Sequence, residues 1–454
     1  MTRRTLLVGA GAGVLGVLLA SCTPEPAPSP TPDPSPSPRP TSDTIAPLAF
    51  ARSAWTTDPF ALGSMSFTPV GVQASAREAL AAPVDGRLFF AGEATDVEAP
   101  GTLSAALRSG VRAAEELLAR AGDGERVAVI GAGLAGAAAA ARLADGGLAP
   151  TVFEARDRIG GRVQSVVDDE AWPVPAQLGG WLLGDQEGEL STRLNALDVR
   201  TGTLTTAQWL SADGEVEPVA DRPLTDAIAA AQALPADVSL AQALTDAGAD
   251  PEEPGLAALL ASVTAMSGAD AEEASSWFPP PLPAAERTAV LGGMQAVIEG
   301  MLGDAKTSLS SAVSRIAYDD AGVSLGLATG ESLSFDRVVI TVPLGVLQGE
   351  GIEFAPPLPF GQRGAVAALG MGFAETVWLR FEEPLVDTEA AIWHVVGGDA
   401  TIRTWFNLAP VTGENIVVGI VGGAAAAEFA ALSDDEVLAA AAASLAPFLS
   451  ASGA

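Results

Sequence analysis

The chain has a single cysteine (Cys22), a single histidine (His394), a single tyrosine (Tyr318) and a single lysine (Lys306). One cysteine excludes an internal disulfide. One histidine and one cysteine, far apart along the chain, give no His/Cys ligand set for a metal. They also give no Ser-His-Asp arrangement for nucleophilic catalysis. Aromatic residues make up 5% of the 454, and charged residues 18%. Only 24 basic residues stand against 56 acidic ones, for a net charge of -32. That balance argues against a nucleic-acid partner, because phosphate binding needs a basic surface. An acidic field attracts cations such as amines, although it serves solubility equally well.

Residues 1–22 read as a lipoprotein export signal. Arg3 and Arg4 form its charged start, and Leu6 to Ala20 its apolar stretch, too short for a membrane span. Leu19-Ala20-Ser21-Cys22 has the form of a bacterial lipobox, with Cys22 as the lipidated residue. The expectation is a protein exported and lipid-anchored to the outer face of the bacterial cytoplasmic membrane. The paired arginines also suit the twin-arginine route. Residues 23–43 are a Pro-rich disordered stalk. Gly11-Ala-Gly13-Val-Leu-Gly16 matches a dinucleotide-binding pattern, but no strand precedes it and prolines follow it, so it is signal-peptide filler.

The body divides into segments. Residues 44–118 form one, and a short linker, 119–125, follows. Residues 126–190 read as strand, turn, helix, strand and a glycine-rich loop. Residues 191–290 are rich in alanine and leucine at helical spacing and predict a helical domain. Residues 291–348 alternate helix and strand. Residues 349–454 predict a sheet, with strands near 377–381 and 416–421, and a closing helix over 439–450.

The second segment carries the clearest chemistry. Arg126–Ile130 is a short apolar strand, followed at once by Gly131-Ala-Gly133-Leu-Ala-Gly136 and an alanine-rich helix. Gly131 permits a tight turn, Gly133 lets backbone approach a pyrophosphate, and Gly136 lets the helix pack on the strand. The free N–H groups and dipole of the helix attract phosphate. Thr151–Phe153 is the next strand and ends at Glu154, placed to accept hydrogen bonds from both ribose hydroxyls and to disfavour a phosphorylated ribose. Arg156-Asp-Arg158-Ile-Gly160-Gly161-Arg162 adds paired glycines for a second close approach and arginines that offset phosphate charge.

Residues 126–162, with 87–118, Leu178-Gly179-Gly180-Trp181, Gly292-Gly293-Met294, Val338–Leu347 and Phe354–Pro359, resemble the flavin amine oxidases, a family of monoamine and polyamine oxidases and flavin histone demethylases. The resemblance covers most of 55–118, 126–182 and 291–383. It implies an α/β fold in which an FAD-binding Rossmann-like domain, a parallel sheet with helices, is interleaved with a mixed α+β substrate domain. It also implies circular permutation, since the stretch matching 55–118 closes the chain in relatives but comes first here. By the resemblance, Gly131, Gly133, Ala135, Gly136, Glu154, Arg156, Arg162, Gly180, Trp181 and Leu182 would line the FAD. Val313 would lie at the adenine and Glu93 beside the cofactor. Thr102 and Leu103 would meet the isoalloxazine, where a helix N-terminus stabilises the charge of the reduced ring.

Three departures from the family pattern stand out. The lysine that relatives carry near flavin N5, linked to oxygen reactivity, is missing; Gln348 and Gln362 stand where it is expected. The positions of a paired aromatic cage hold Met65 and Thr102. Trp181, Trp209, Trp277, Trp393 and Trp405 could each offer a ring, though a core role suits each better. Where some relatives attach flavin through cysteine, this chain has Ser64, so the FAD is expected to be noncovalent. No residue singles itself out as a catalytic acid or base; His394 beside Trp393 reads as structural.

The expected function is oxidation of a small-molecule amine by hydride transfer to flavin N5, giving an imine, with oxygen or another acceptor restoring the flavin. The alternatives are a flavin dehydrogenase or desaturase acting on C–C bonds, and a non-catalytic flavin-binding lipoprotein.

Overall fold

In the computed structural model, residues 45–168, 170–184, 188–283 and 286–452 are described. The export signal with Cys22 and the stalk lie outside the described residues. Five parallel strands form the sheet of the nucleotide-binding half, in the spatial order Lys306–Ser308, Thr151–Phe153, Val127–Ile130, Arg337–Ile340 and Leu88–Phe90. The strand earliest in the chain thus occupies an edge, paired Val338↔Leu88 and Ile340↔Phe90 with a strand from much later in the chain. All four residues of Val127–Ile130 are buried, as a near-continuous apolar run in a doubly covered parallel sheet requires.

Side chains leave this sheet alternately to two sides. Phe89, Val127, Val129 and Val339 pack under the helices Leu103–Leu118 and Leu134–Asp145. Leu88, Phe90, Ala128, Ile130, Val338 and Ile340 pack on the other side, against a four-stranded sheet built from Ser332–Phe335, Gly322–Leu327, Val313–Asp319 and Glu353–Ala355. The two helices touch at backbone distance. A Cβ on Gly110 would sit 2.2 Å from the Ala135 carbonyl oxygen, so glycine at this position is what lets Leu103–Leu118 lie directly on the first turn of Leu134–Asp145. Residues 88–118 and 127–153 therefore form one structural unit despite their order in the chain. The linker between them is stitched down: Arg337 bonds Glu125 at 2.6 Å and the Arg120 carbonyl at 2.7 Å.

The second half is built on a seven-stranded sheet, ordered Ala49–Arg52, Ala374–Arg380, Ile416–Gly422, Thr404–Asn407, Ile392–Val395, Ala207–Ser211 and Gly214–Glu215. One face carries Trp393, Trp405 and Val417 against the helix Asp434–Ser452, with Trp393 stacked on Phe448 at 4.8 Å. The other face carries Trp378, Phe406, Val418 and Ile420 toward Trp172 and Trp181. Glu375, fully buried on Ala374–Arg380, accepts bonds from the Ser53 hydroxyl, the Trp55 N–H and both the N–H and hydroxyl of Thr56, which ties the first described segment to this sheet.

The helical reading of 191–290 holds only in part. Helices Arg222–Ala231, Leu240–Asp246 and Pro254–Ser267 are there, but so are the strands Thr201–Leu204, Ala207–Ser211, Gly214–Glu215 and Arg287–Val290. Alanine and leucine are so frequent in this chain that helical spacing arises without a helix. The strands owe their existence to distant partners: Ala207–Ser211 pairs with Ile392–Val395, and Thr201–Leu204 and Leu182–Leu183 both pair with Arg287–Val290. No helix among the described residues is long and apolar enough to cross a membrane.

Candidate active site

A cavity of about 880 Å³ lies where the two halves meet. Its first end is the glycine turn. The strand Val127–Ile130 stops at Gly131, whose φ of +104° disfavours any other residue. Gly136 sits so close beneath the turn that a Cβ would fall 1.9 Å from the Gly131 oxygen, so the helix start is pinned to the strand end and does not itself line the cavity. Gly131, Gly133 and Ala135 do line it, with the helix N-terminus behind them. The buried Glu154 carboxylate accepts the Ala132 N–H at 2.8 Å and the Arg156 N–H at 2.9 Å. Arg156 pairs with Asp58 at 2.7 Å, and Val313 and Ser311 close this end.

The middle of the cavity is organised by Glu93, in the short turn Glu93–Thr95 that follows the strand Leu88–Phe90. Its carboxylate accepts the Ser66 hydroxyl at 2.6 Å, the Gly101 N–H at 2.9 Å and the Arg162 guanidinium at 3.0 Å. Arg77, itself buried, donates to the same Ser66 hydroxyl oxygen at 2.8 Å. Burial works to raise the Glu93 pKa, but Arg162, Ser66 and Arg77 together outweigh it and hold the carboxyl below the ordinary range. The Thr102 hydroxyl accepts the Ala105 N–H at 3.1 Å and caps the helix Leu103–Leu118, whose N-terminus opens on the cavity. Leu103 packs against Gly180.

The far end belongs to the second half. Trp181 lines it, set edge-on to Trp378 and Phe406 with ring centres 5.3 and 5.5 Å away. Met65, Thr102, Leu182 and Ser64 line the cavity too, and the Ser64 hydroxyl donates to the Ala374 oxygen at 2.7 Å. Trp209, Trp277, Trp393 and Trp405 do not reach it. His394 also lies outside the lining, buried against Trp209 with ring centres 4.2 Å apart. Burial, and then the nearby Arg287 charge, depress its pKa to about 4, so it is neutral and structural.

Among the described residues, Arg162, Gly180 and Glu93 thus join the glycine turn, Glu154, Val313, Thr102 and Leu103 around one cavity; Gly136 alone of the expected set stands behind its wall. Gln348 and Gln362 are not at the lysine position. Gln348 donates to the Val366 and Leu369 oxygens at 2.9 and 2.8 Å, and Gln362 to the Ala82 oxygen at 2.8 Å, both away from the cavity. The strand after the Pro356–Pro359 run reaches the cavity with Ala374 and Thr376 instead. The two glutamines lie on the helices Leu344–Gln348 and Phe360–Ala368, while alternation along the strand Ala374–Arg380 sends Ala374 and Thr376 to the cavity, a division that linear distance from a motif does not reveal. Sequence reasoning also missed Trp55, which donates to the Leu178 oxygen at 2.6 Å, and Arg287 at the start of Arg287–Val290. The one sequence signal for Arg287 is a charge heading a short apolar run. No group of three or more His, Cys, Asp or Glu among the described residues is placed to hold a metal.

The residues fit a flavin dinucleotide. An acid and a helix N-terminus stand at one end for ribose and pyrophosphate, arginines lie along the middle, and a second helix N-terminus faces the other end. Residues 37–118 and 248–453 match the family described as Flavin containing amine oxidoreductase, and residues 129–190 match an NAD(P)-binding Rossmann-like domain. Among curated proteins, Polyamine oxidase 4 of Oryza sativa subsp. japonica is 26% identical over 332 residues, 65% of this chain and 67% of that protein. Histone demethylase-like protein A of Aspergillus fumigatus is 43% identical over 114 residues, 23% of this chain; the chain spans only 10% of that protein. Among solved structures, Cyclohexylamine Oxidase from Brevibacterium oxydans aligns with a TM-score of 0.59 at 22% identity, over 71% of this chain and 81% of the other. Putrescine Oxidase bound to putrescine aligns with a TM-score of 0.56 at 22% identity, over 72% and 81%.

Proposed function

This chain belongs to the flavin containing amine oxidoreductase family, and on that premise we propose that it binds FAD noncovalently and oxidises a small-molecule amine to an imine. When bound, FAD supplies the hydride acceptor. The chain's own residues bind, orient and keep water out. Glu154 and the Gly131–Gly136 turn hold the adenosine and pyrophosphate end. Arg162, fixed by Glu93, and the capped helix N-terminus at Thr102 and Leu103 favour negative charge at the opposite end. Trp181, Leu182 and Met65 provide an apolar wall against which an amine's carbon skeleton is oriented.

One observation supports this reading above the others: two helix N-termini and two buried carboxylates, Glu93 and Glu154, from residues 88–118 and 127–154 open on a single cavity. We read the order as a circular permutation within the family, with residues 119–125 as the join. The electron acceptor is oxygen or another oxidant, and the absence of a lysine from the cavity lining favours the latter. The export signal and Cys22 support anchoring at the outer face of the cytoplasmic membrane. The test is spectroscopic. The purified protein should carry a flavin band that an amine bleaches under anaerobic conditions, and admitting air should then show whether peroxide forms. A protein that stays colourless with added FAD, or a flavin that no amine reduces, overturns the reading.

A further inference from the structure

Arg287 is the one cationic group at the cavity whose bonding the mechanism leaves unused. The other arginines of the lining are committed: Arg162 to Glu93 and Arg156 to Asp58. The Arg287 side chain makes no hydrogen bond or ion pair within the described residues, while its backbone pairs with Leu204 in the sheet. Burial lowers its pKa to about 10, with no carboxylate acting in the opposite direction. It remains protonated at neutral pH all the same. The acidic residues of the lining do not neutralise it. Glu93 and Glu154 are engaged elsewhere, Glu98 lies by Arg108, and Glu286 is exposed and makes no ion pair with Arg287. His394, the other titratable group within its field, is neutral.

Its position is on the side away from the nucleotide cradle. Arg287 heads the strand Arg287–Val290, whose Ala289 pairs with Leu182 and whose Thr288 pairs with Leu183, so the strand belongs to the three-stranded sheet and not to the parallel one. The same cavity is lined by Met266, Phe278, Leu282 and Trp181, the last bonded through its carbonyl to the Val290 N–H of the same strand at 2.8 Å, and apolar lining lowers the local dielectric and strengthens any ion pair formed there. A desolvated guanidinium without a partner among the described residues is costly, and a planar carboxylate is the ligand that meets its fork with two bonds.

We propose that the substrate of this site is an amine that also carries a carboxylate, held through Arg287. Resting on the amine-oxidation reading, this narrows the substrate class to amino acids and sets the site apart from one made for simple amines or polyamines. Arg287 is then a specificity-determining residue, and the acidic surface is no obstacle, since such substrates are zwitterions.

The test uses the FAD-loaded full chain and two readouts. Calorimetric titration with hexanoate should show binding to the wild type, weakened about 10- to 100-fold in Arg287→Met and less in Arg287→Lys, as expected for a charge-assisted bond. Binding of pentylamine should be alike in all three. Anaerobic flavin reduction should then favour norleucine or 6-aminohexanoate over pentylamine by at least about tenfold, a preference that Arg287→Met abolishes. Cofactor content and melting temperature check that each variant folds, and Arg287→Gln serves if the methionine variant does not. Hexanoate binding that ignores Arg287, or a wild type that reduces with pentylamine as readily as with its carboxylated counterparts, overturns the proposal. If hexanoate binds through Arg287 but no amine bleaches the flavin, the anion subsite stands and the amine-oxidation reading falls.

Discussion

Gly110→Ala is the smallest change that tests whether residues 88–118 and the nucleotide-binding unit act as one body. The added methyl would stand 2.2 Å from the Ala135 oxygen and 3.0 Å from the Ala138 Cβ, where ordinary carbon contacts begin at 3.4 Å. The helices Leu103–Leu118 and Leu134–Asp145 must therefore separate by about 1 Å. Overpacking of this kind costs about 1–3 kcal/mol, while alanine in place of glycine in a helix interior returns about 1 kcal/mol. The net loss of stability is therefore at most about 2 kcal/mol. Cofactor binding should suffer as well, because Ala135 is in the first turn of the helix, beside the N–H groups proposed to receive pyrophosphate. FAD affinity should fall at least tenfold, a change of about 1.4 kcal/mol. Melting followed by intrinsic fluorescence gives the first quantity, and titration of the stripped protein with FAD gives the second. Gly122→Ala is the control: its nearest neighbour would be a Glu125 oxygen at 3.7 Å, and neither quantity should move. If Gly110→Ala melts and binds FAD like the wild type, the two helices are not packed as described and the shared cavity loses its basis.

Glu154→Gln keeps the shape of the side chain but removes the charge and one acceptor. It should weaken FAD binding about tenfold with little change in fold stability, measured by the same titration. His394 makes stability depend on pH. Burial, aided by the Arg287 charge, lowers its folded pKa from 6.5 to about 4, so folding favours the neutral form. The contribution is complete above pH 6.5 and is lost as pH falls toward 4, about 3 kcal/mol in all. Chemical denaturation at pH 7 and pH 4.5 should show that loss in the wild type and a much smaller one in His394→Phe; equal slopes for the two would refute it.

The nucleotide end was legible because its determinants are local. A strand, three glycines and an acid occupy one short stretch, and each has its own steric or electrostatic task, so Val127–Ile130, Leu134–Asp145 and Thr151–Phe153 lie where the spacing places them. The helix start that the resemblance placed at Thr102 and Leu103 is equally local, capped by the Thr102 hydroxyl. What could not be read depends on pairing between distant segments. Thr376 reaches the cavity because the strand Ala374–Arg380 is held between Ala49–Arg52 and Ile416–Gly422 in one register, while Gln348 and Gln362 lie on the helices Leu344–Gln348 and Phe360–Ala368 and bond elsewhere. Likewise, Arg287 is a cavity residue only because Arg287–Val290 is clamped between Leu182–Leu183 and Thr201–Leu204, strands that the alanine-rich composition concealed.

The proposed permutation is physically inexpensive for a related reason. In a parallel sheet, consecutive strands are joined by crossovers in any case, so the sheet is indifferent to which crossover is covalent as long as a short path exists. Leu88–Phe90 has Arg337–Ile340 as its one partner strand in this sheet among the described residues, and residues 119–125 lead from its following helix to the start of Val127–Ile130. Arg337 lies at that junction, bonding the Gly86 and Arg120 oxygens on one side and Glu125 on the other. One guanidinium thus holds the segment before the edge strand, the end of its helix and the linker together, which keeps Glu93 in reach of Arg162 and the capped helix directed at the cavity. The site depends on these contacts in space, and the order in which the chain visits them leaves its chemistry unchanged.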